Sequence, residues 1–165
     1  MRAALAILLL LGLAACGSTR QAGLPSGAAV SEPVSCVPYA RARSGIQLSG
    51  DAWTWWDAAA GRYARSRAPQ PGSVLVLNRT ARMRDGHVAV VSQVVGRREI
   101  LVDHANWASG AARGRIATAQ RVVDVSPAND WSLVRVWYTR IGDFGTTAFP
   151  ARGFVHPRVE LAAAR

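Results

Sequence analysis

Cys36 and His87 are a pair of side chains whose types suit nucleophilic catalysis, and the stretch ILVDHANW at residues 100–107 places three further proton-handling groups, Asp103, His104 and Asn106, within four positions. A cysteine attacks as its thiolate, whereas an ordinary thiol is mostly protonated at neutral pH. A helix N-terminus and a nearby imidazole both favour the thiolate. His87 follows Gly86 and opens the apolar run HVAVVSQV, where a small neighbour lets the ring face a cleft. A nucleophile on a helix and a base on a sheet, with a polar group orienting the imidazole, is a recurring arrangement for acyl transfer. Taken singly, each residue also has a plain structural use, the cysteine as a small buried hydrophobe and the histidine as a capped or surface residue. Which of Asp103, His104 and Asn106 serves a reaction is open at this point.

The elements that must position these groups are legible in outline. Ser35 is a good N-cap, Pro38 sits in a first turn where its missing N–H costs little, and Gly45 closes a helix, so Cys36 lies at a helix N-terminus. A second helix is predicted over Asp51 to Tyr63, with Trp53, Trp56, Ala60 and Tyr63 on one buried face and Trp55 exposed. Strands are predicted over Ser73 to Leu77, His87 to Val95, Glu99 to His104 and Trp131 to Thr139, each after a turn or polar break. The tail from Ile141 offers only a short turn or strand around Gly153-Phe154-Val155. Helices first and an antiparallel sheet after them is an α+β order. At 165 residues the chain fits one domain, large enough to bury roughly two thirds of its unfolded surface.

The N-terminal region is expected to be something other than fold. Arg2 is followed by ALAILLLLGLAA, too short to span a bilayer comfortably and suited to a signal-peptide core. It ends in Leu13-Ala14-Ala15-Cys16-Gly17, which resembles a bacterial lipobox, so residues 1–15 are expected to be a lipoprotein signal peptide and Cys16 the lipidated residue. An ordinary signal peptide cut near Ala15 is the alternative. Residues 16–33, rich in Gly, Ser, Ala and Pro, read as a flexible tether. The folded domain is expected over 34–165. The chain is thus expected in the cell envelope, exported and held on the periplasmic side of a bacterial membrane through its lipid. Lipid on Cys16 leaves Cys36 without a disulfide partner.

All twenty basic residues are arginine, and the formal charge is +10. A field of that sign raises encounter rates with polyanions. The arginines are dispersed and no nucleic-acid-binding motif accompanies them, so nucleic acid is set aside as a partner and anionic envelope polymers are favoured. A solvated basic surface with no specific ligand is the plainer reading of the charge.

Several blocks together resemble the CHAP family, the cysteine- and histidine-dependent amidohydrolases and peptidases that cleave peptidoglycan and are related to the NlpC/P60 peptidases. They are Cys36-Val37-Pro38-Tyr39-Ala40 with Arg43-Ser44-Gly45, Gly50-Asp51-Ala52 with Trp53 and Trp56, Pro71-Gly72-Ser73-Val74-Leu75-Val76, and Gly86-His87-Val88-Ala89-Val90-Val91. The resemblance covers roughly residues 35–107 in the family's order. It implies a papain-like α+β fold with N-terminal helices packed on an antiparallel β-sheet, Cys36 as nucleophile, His87 as general base, and an acyl-enzyme formed on a peptidoglycan amide. No metal or organic cofactor is implied, and the three histidines and two cysteines offer no zinc-site spacing.

Family members commonly carry a Glu two positions before an Asn on the strand after the His strand, to hold the imidazole. Matching that pattern here puts His104 in the orienting place and Asn106 in the Asn place, a departure because His supplies no carboxylate, though the NlpC/P60 peptidases use a Cys-His-His set. Asp103 competes. On a regular strand His104 and Asn106 share a face with Ile100 and Val102, while Asp103 points the other way, which favours His104 unless a bulge precedes Asp103. The oxyanion would be met by the Cys36 backbone N–H. His156 lies beyond the matched region and reads as a surface histidine. A non-catalytic envelope lipoprotein that binds peptidoglycan or a protein partner is the rival reading, and a protein regulator is left open.

Overall fold

The run Val74–Leu77 is buried on both faces: Leu75 and Leu77 join one apolar cluster, Val74 and Val76 another. Two-sided burial explains why such strands read as continuous apolar runs rather than as alternation. The same division continues in the neighbouring strand, with Ala89 and Val91 in the first cluster and Val88 and Val90 in the second.

The structure, a computed structural model, describes residues 34–107 and 113–158. The expected signal peptide, the tether and Cys16 lie outside the described residues. Helix α1 (Cys36–Ser44) is followed by a 3-10 turn (Ala52–Thr54) and by α2 (Trp55–Ala58). Then come β1 (Arg65–Ser66), β2 (Val74–Leu77), β3 (His87–Gly96), β4 (Glu99–Ala105), β5 (Ile116–Asp124), β6 (Leu133–Tyr138), β7 (Asp143–Phe144) and β8 (Phe149–Val155). All pairings are antiparallel, and the sheet order is β1-β8-β2-β3-β4-β5-β6-β7.

Strand β8 closes this sheet. Its first half pairs with β6 (Leu133↔Pro150, Val134↔Phe149) and its second half with β2 (Leu77↔Ala151 through Val74↔Val155). Six strands, β2 to β6 and β8, therefore form a closed barrel with no free edge between the first and the last. Arg152 is the extra residue where the register shifts, and Gly153 beside it has φ +129. A Cβ at Gly153 would stand 2.5 Å from the Ser66 carbonyl oxygen and 2.7 Å from Trp56 Cζ3, so only glycine lets β8 bend between its two partners. The barrel interior is filled by the cluster containing Ile100, Val102, Val122, Trp131 and Phe154. The second cluster lies outside the barrel wall, where Ala40, Ile46, Leu48 and Trp55 cover the outer faces of β2 and β3.

This overturns the expectation of a papain-like α+β fold with N-terminal helices packed on a sheet. The protein is mostly β: a closed antiparallel barrel of six strands plus two short strands, with only two α-helices of nine and four residues among the described residues. The helix predicted from Asp51 to Tyr63 is a 3-10 turn running into one α-helical turn, and the change of helix type rotates its faces. Trp55 is consequently fully buried, whereas Trp53 and Trp56 are half-buried under Arg79 and Arg65. Strand β5 has no clear sequence signal because its first residues are mostly exposed and do not alternate. The short turn or strand expected around Gly153-Phe154-Val155 is the end of β8, whose full extent from Phe149 is obscured in sequence because Pro150 and Gly153 read as turn residues. His156 is buried rather than superficial, with Nε2 at 2.8 Å from Ser66 Oγ.

Replacing Gly153 by alanine forces a Cβ against the Ser66 carbonyl at a left-handed φ. A loss of about 2 kcal/mol is expected in urea unfolding. An unchanged midpoint would contradict closure of the barrel by β8.

Candidate active site

Helix α1 begins at Cys36 because Ser35 is extended (φ −84, ψ 162) and the helical turn starts at the next residue, although the Ser35 side chain makes no capping hydrogen bond. Gly45, left-handed at φ 74, ends it with its N–H on the Arg41 carbonyl. Cys36 is a free, partly buried thiol. Burial pushes the thiol above its ordinary range, while the backbone N–H groups of Val88, Val37 and Cys36 itself oppose that effect, and burial wins. The resting group is thus a thiol at neutral pH.

Gly86 (φ 67) delivers His87 to the start of β3. A Cβ there would lie 2.7 Å from the Leu77 carbonyl oxygen and from Trp53 Cβ, so this close crossing requires glycine. By alternation from Ala89 and Val91, His87 belongs to the barrel-facing set of β3, as His104 belongs with Ile100 and Val102 on β4. Continuing the register beyond Val90↔Asp103 sets His104 opposite the small Ala89 and diagonal to His87. His87 Nε2 and His104 Nδ1 are 3.1 Å apart, with one nitrogen donating and the other accepting. Trp107 lies against both rings, at centroid distances of 4.8 Å and 5.5 Å, and Phe149 backs it at 5.0 Å.

Both imidazoles are held neutral. Burial, reinforced by the adjacent His104, pushes His87 well below its ordinary value. Burial lowers His104 to about 4, against a smaller upward pull from Asp103.

Asp103 points away from the histidines. Its Oδ2 accepts from Arg43 Nε at 3.2 Å and its Oδ1 from the Ala119 backbone N–H at 2.9 Å. The register shifts beside it put the extra residues on the neighbours, Ser92 and Val95 on β3 and the residues before Gln120 on β5. β4 stays regular, so Asp103 and His104 keep opposite faces. Asn106 is different, because φ +59 takes it off the strand and strand alternation no longer governs its direction. Its Oδ1 accepts from Gly114 N–H at 2.9 Å and its own N–H donates to the Arg115 carbonyl, so it stands on the rim and makes no hydrogen bond to His87.

A wide cleft joins these groups: Cys36, His87, Asn106 and Trp107 all line it, with Arg84 and Arg113 among the residues of its walls. The structure therefore brings His87 and His104 into contact, sets Cys36 in the same cleft without a hydrogen bond to His87, and leaves Asn106 at the rim. Trp107 and Phe149 were not among the expected site residues. The aromatic immediately after Asn106 was the available signal for the first, whereas Phe149 arrives only through the closure by β8.

A family model for the CHAP domain matches residues 27–106, a span that includes Cys36, His87, His104 and Asn106, and the match supports the CHAP domain family. CHAP domains are usually hydrolases, amidases or peptidases, acting on peptidoglycan. No curated protein matches the chain.

Because the buried histidines bind protons less readily folded than unfolded, stability is fully present above about 6.5 and is lost as pH falls towards about 4. His104 alone accounts for about 3 kcal/mol of that fall. Urea midpoints measured from neutral pH downward are expected to drop over this window, and less steeply in His104→Gln. A flat wild-type profile would contradict the burial of these rings.

Proposed function

We propose that the chain is a CHAP-type peptidoglycan hydrolase, amidase or endopeptidase, that works through a cysteine nucleophile. The single observation that carries the reading is the 3.1 Å contact of buried His104 with His87, which lines the same cleft as Cys36. With Nε2 engaged by His104, Nδ1 of His87 is the nitrogen left to take a proton. His87 accepts the Cys36 proton as Sγ adds to the amide carbonyl carbon, and the Cys36 backbone N–H meets the developing oxyanion. The C–N bond then breaks, His87 returns the proton to the leaving amine, and a thioester remains. Water, giving a proton to His87, releases the carboxylic acid and restores the thiol. Asn106, whose Oδ1 is held by Gly114, keeps its Nδ2 donors for substrate at the rim.

A neutral pair suits this route. Thiol and imidazole start uncharged in a partly buried site, so charge appears only as the reaction proceeds. His104 accepts from the imidazolium without supplying a counter-charge, since Asp103 faces Arg43. We further propose that lipid on Cys16 tethers the domain at the periplasmic side of a bacterial membrane, within reach of peptidoglycan, on the strength of the sequence ahead of residue 34.

Purified peptidoglycan incubated with the protein is expected to release fragments whose masses identify the cleaved amide. Cys36→Ala should abolish release and His104→Ala should lower turnover roughly a hundredfold. Equal release by Cys36→Ala would sink the cysteine mechanism, and retention on peptidoglycan without release would favour a binding protein. Intact-mass analysis of the membrane fraction checks the tether: an unmodified Cys16 would contradict it.

A further inference from the structure

Asp103 is 5% exposed and is an ionisable residue buried on the helix-facing side of β4. Such a carboxylate is tolerated only where donors replace its water. Arg43 supplies one from Nε at 3.2 Å from Oδ2, with Nη2 in ion-pair contact at the same distance, and the Ala119 N–H supplies a second at 2.9 Å from Oδ1. These partners belong to different parts of the site. Arg43 follows Cys36 by seven residues, two helical turns, which places both on the same face of α1 about 10 Å apart. Ala119, left-handed at φ 51, sits where β5 carries its extra residues opposite Asp103. Beyond that point β5 regains its pairing at His104↔Ala117, and Arg115 and Gly114 hold Asn106. Gly114 also accepts from the Val34 N–H, two residues before the nucleophile.

We propose that Asp103 is a positioning residue for the nucleophile: by pinning Arg43 and the β5 bulge together, it fixes the rotation of α1 that aims Cys36 at His87 while its chain neighbour His104 orients His87 from the opposite face of β4. The inference rests on the reaction proposed above. One strand thereby carries, at consecutive residues, the reference for the base and the reference for the nucleophile. Arg43 is half-exposed, so the tie acts through geometry more than through stability.

The test uses the full chain and the variants Asp103→Asn, Arg43→Met, Arg43→Lys and the double Asp103→Asn/Arg43→Met, each checked by circular dichroism and assayed well below its unfolding midpoint. Asp103→Asn and Arg43→Met are each expected to lower kcat roughly tenfold or more with little change in KM, because a nucleophile displaced by a fraction of an ångström loses its near-attack geometry. The double variant should be no worse than either single one, since the two residues act as a unit, and Arg43→Lys should recover part of the loss. Iodoacetamide labelling of Cys36, followed on its own peptide by mass spectrometry, is independent of peptidoglycan. In Asp103→Asn its pH midpoint should rise, and its rate at neutral pH should fall roughly threefold or more, as Sγ loses the Val88 N–H.

Folded variants with wild-type kcat and an unchanged or lower labelling midpoint would reduce Asp103 to a structural residue and overturn the proposal, as would losses that multiply in the double variant. If the wild type releases no peptidoglycan fragments, the proposed reaction fails, and the labelling experiment still decides the role of Asp103.

Discussion

The contact between His87 Nε2 and His104 Nδ1 depends on β4 being a regular strand between two irregular ones. Each extra residue in the ladders around it is carried by β3 or β5, and the carboxylate of Asp103 occupies the backbone donor that the β5 irregularity exposes. A single additional residue in β4 ahead of Asp103 would turn His104 out of the barrel and Asp103 in. The site would then have a carboxylate facing its imidazole, and helix α1 would lose the anion that holds Arg43. On the proposed reading, regularity in one strand decides both the setting of the base and the anchoring of the nucleophile.

In the proposed reaction, a histidine in the orienting place changes the energetics. A carboxylate would stabilise the imidazolium by opposite charge, whereas neutral His104 offers one lone pair in a buried setting. The ring of His87 is correspondingly a weak base at rest, pressed by burial and by the adjacent His104. A weak base serves a thiol less well than a poised one, and the helix-terminal N–H groups around Cys36 offset part of that deficit by favouring the thiolate as it forms. In the proposed reaction, nucleophile and base share the work: backbone donors ease the thiol, and alignment by His104 offsets part of what burial costs the imidazole.

The parts of this site that were legible in sequence are those set by local signals. Pro38 in the first turn and Gly45 just past the last mark α1, so Cys36 could be placed at a helix start without any long-range information. The turn Asp85-Gly86 and the apolar run after it announced β3, and alternation along β4 separated His104 from Asp103 because that strand is regular. What could not be read is set by pairing across long separations. The division of β8 between β6 and β2 has no local signature, and without it the strands suggest a layer under helices rather than a barrel. The partnership of Arg43 with Asp103 spans sixty residues and the turn that holds Asn106 lies off the strand, so neither followed from periodicity. The tryptophans near residue 55 misled for the opposite reason, since helical spacing was present but the helix was not.

The central claim is that a neutral His87 donates from Nε2 to a neutral His104, which leaves Nδ1 of His87 as the base. Nitrogen NMR of protein labelled with 15N-histidine tests it directly, because the chain contains only His87, His104 and His156. The account predicts that near neutral pH both site rings are uncharged, with a protonated Nε2 on His87 facing an unprotonated Nδ1 on His104, and that neither ring titrates near 6.5. A His87 ring that titrates at its ordinary value, or that carries its proton on Nδ1 in the resting protein, would contradict it.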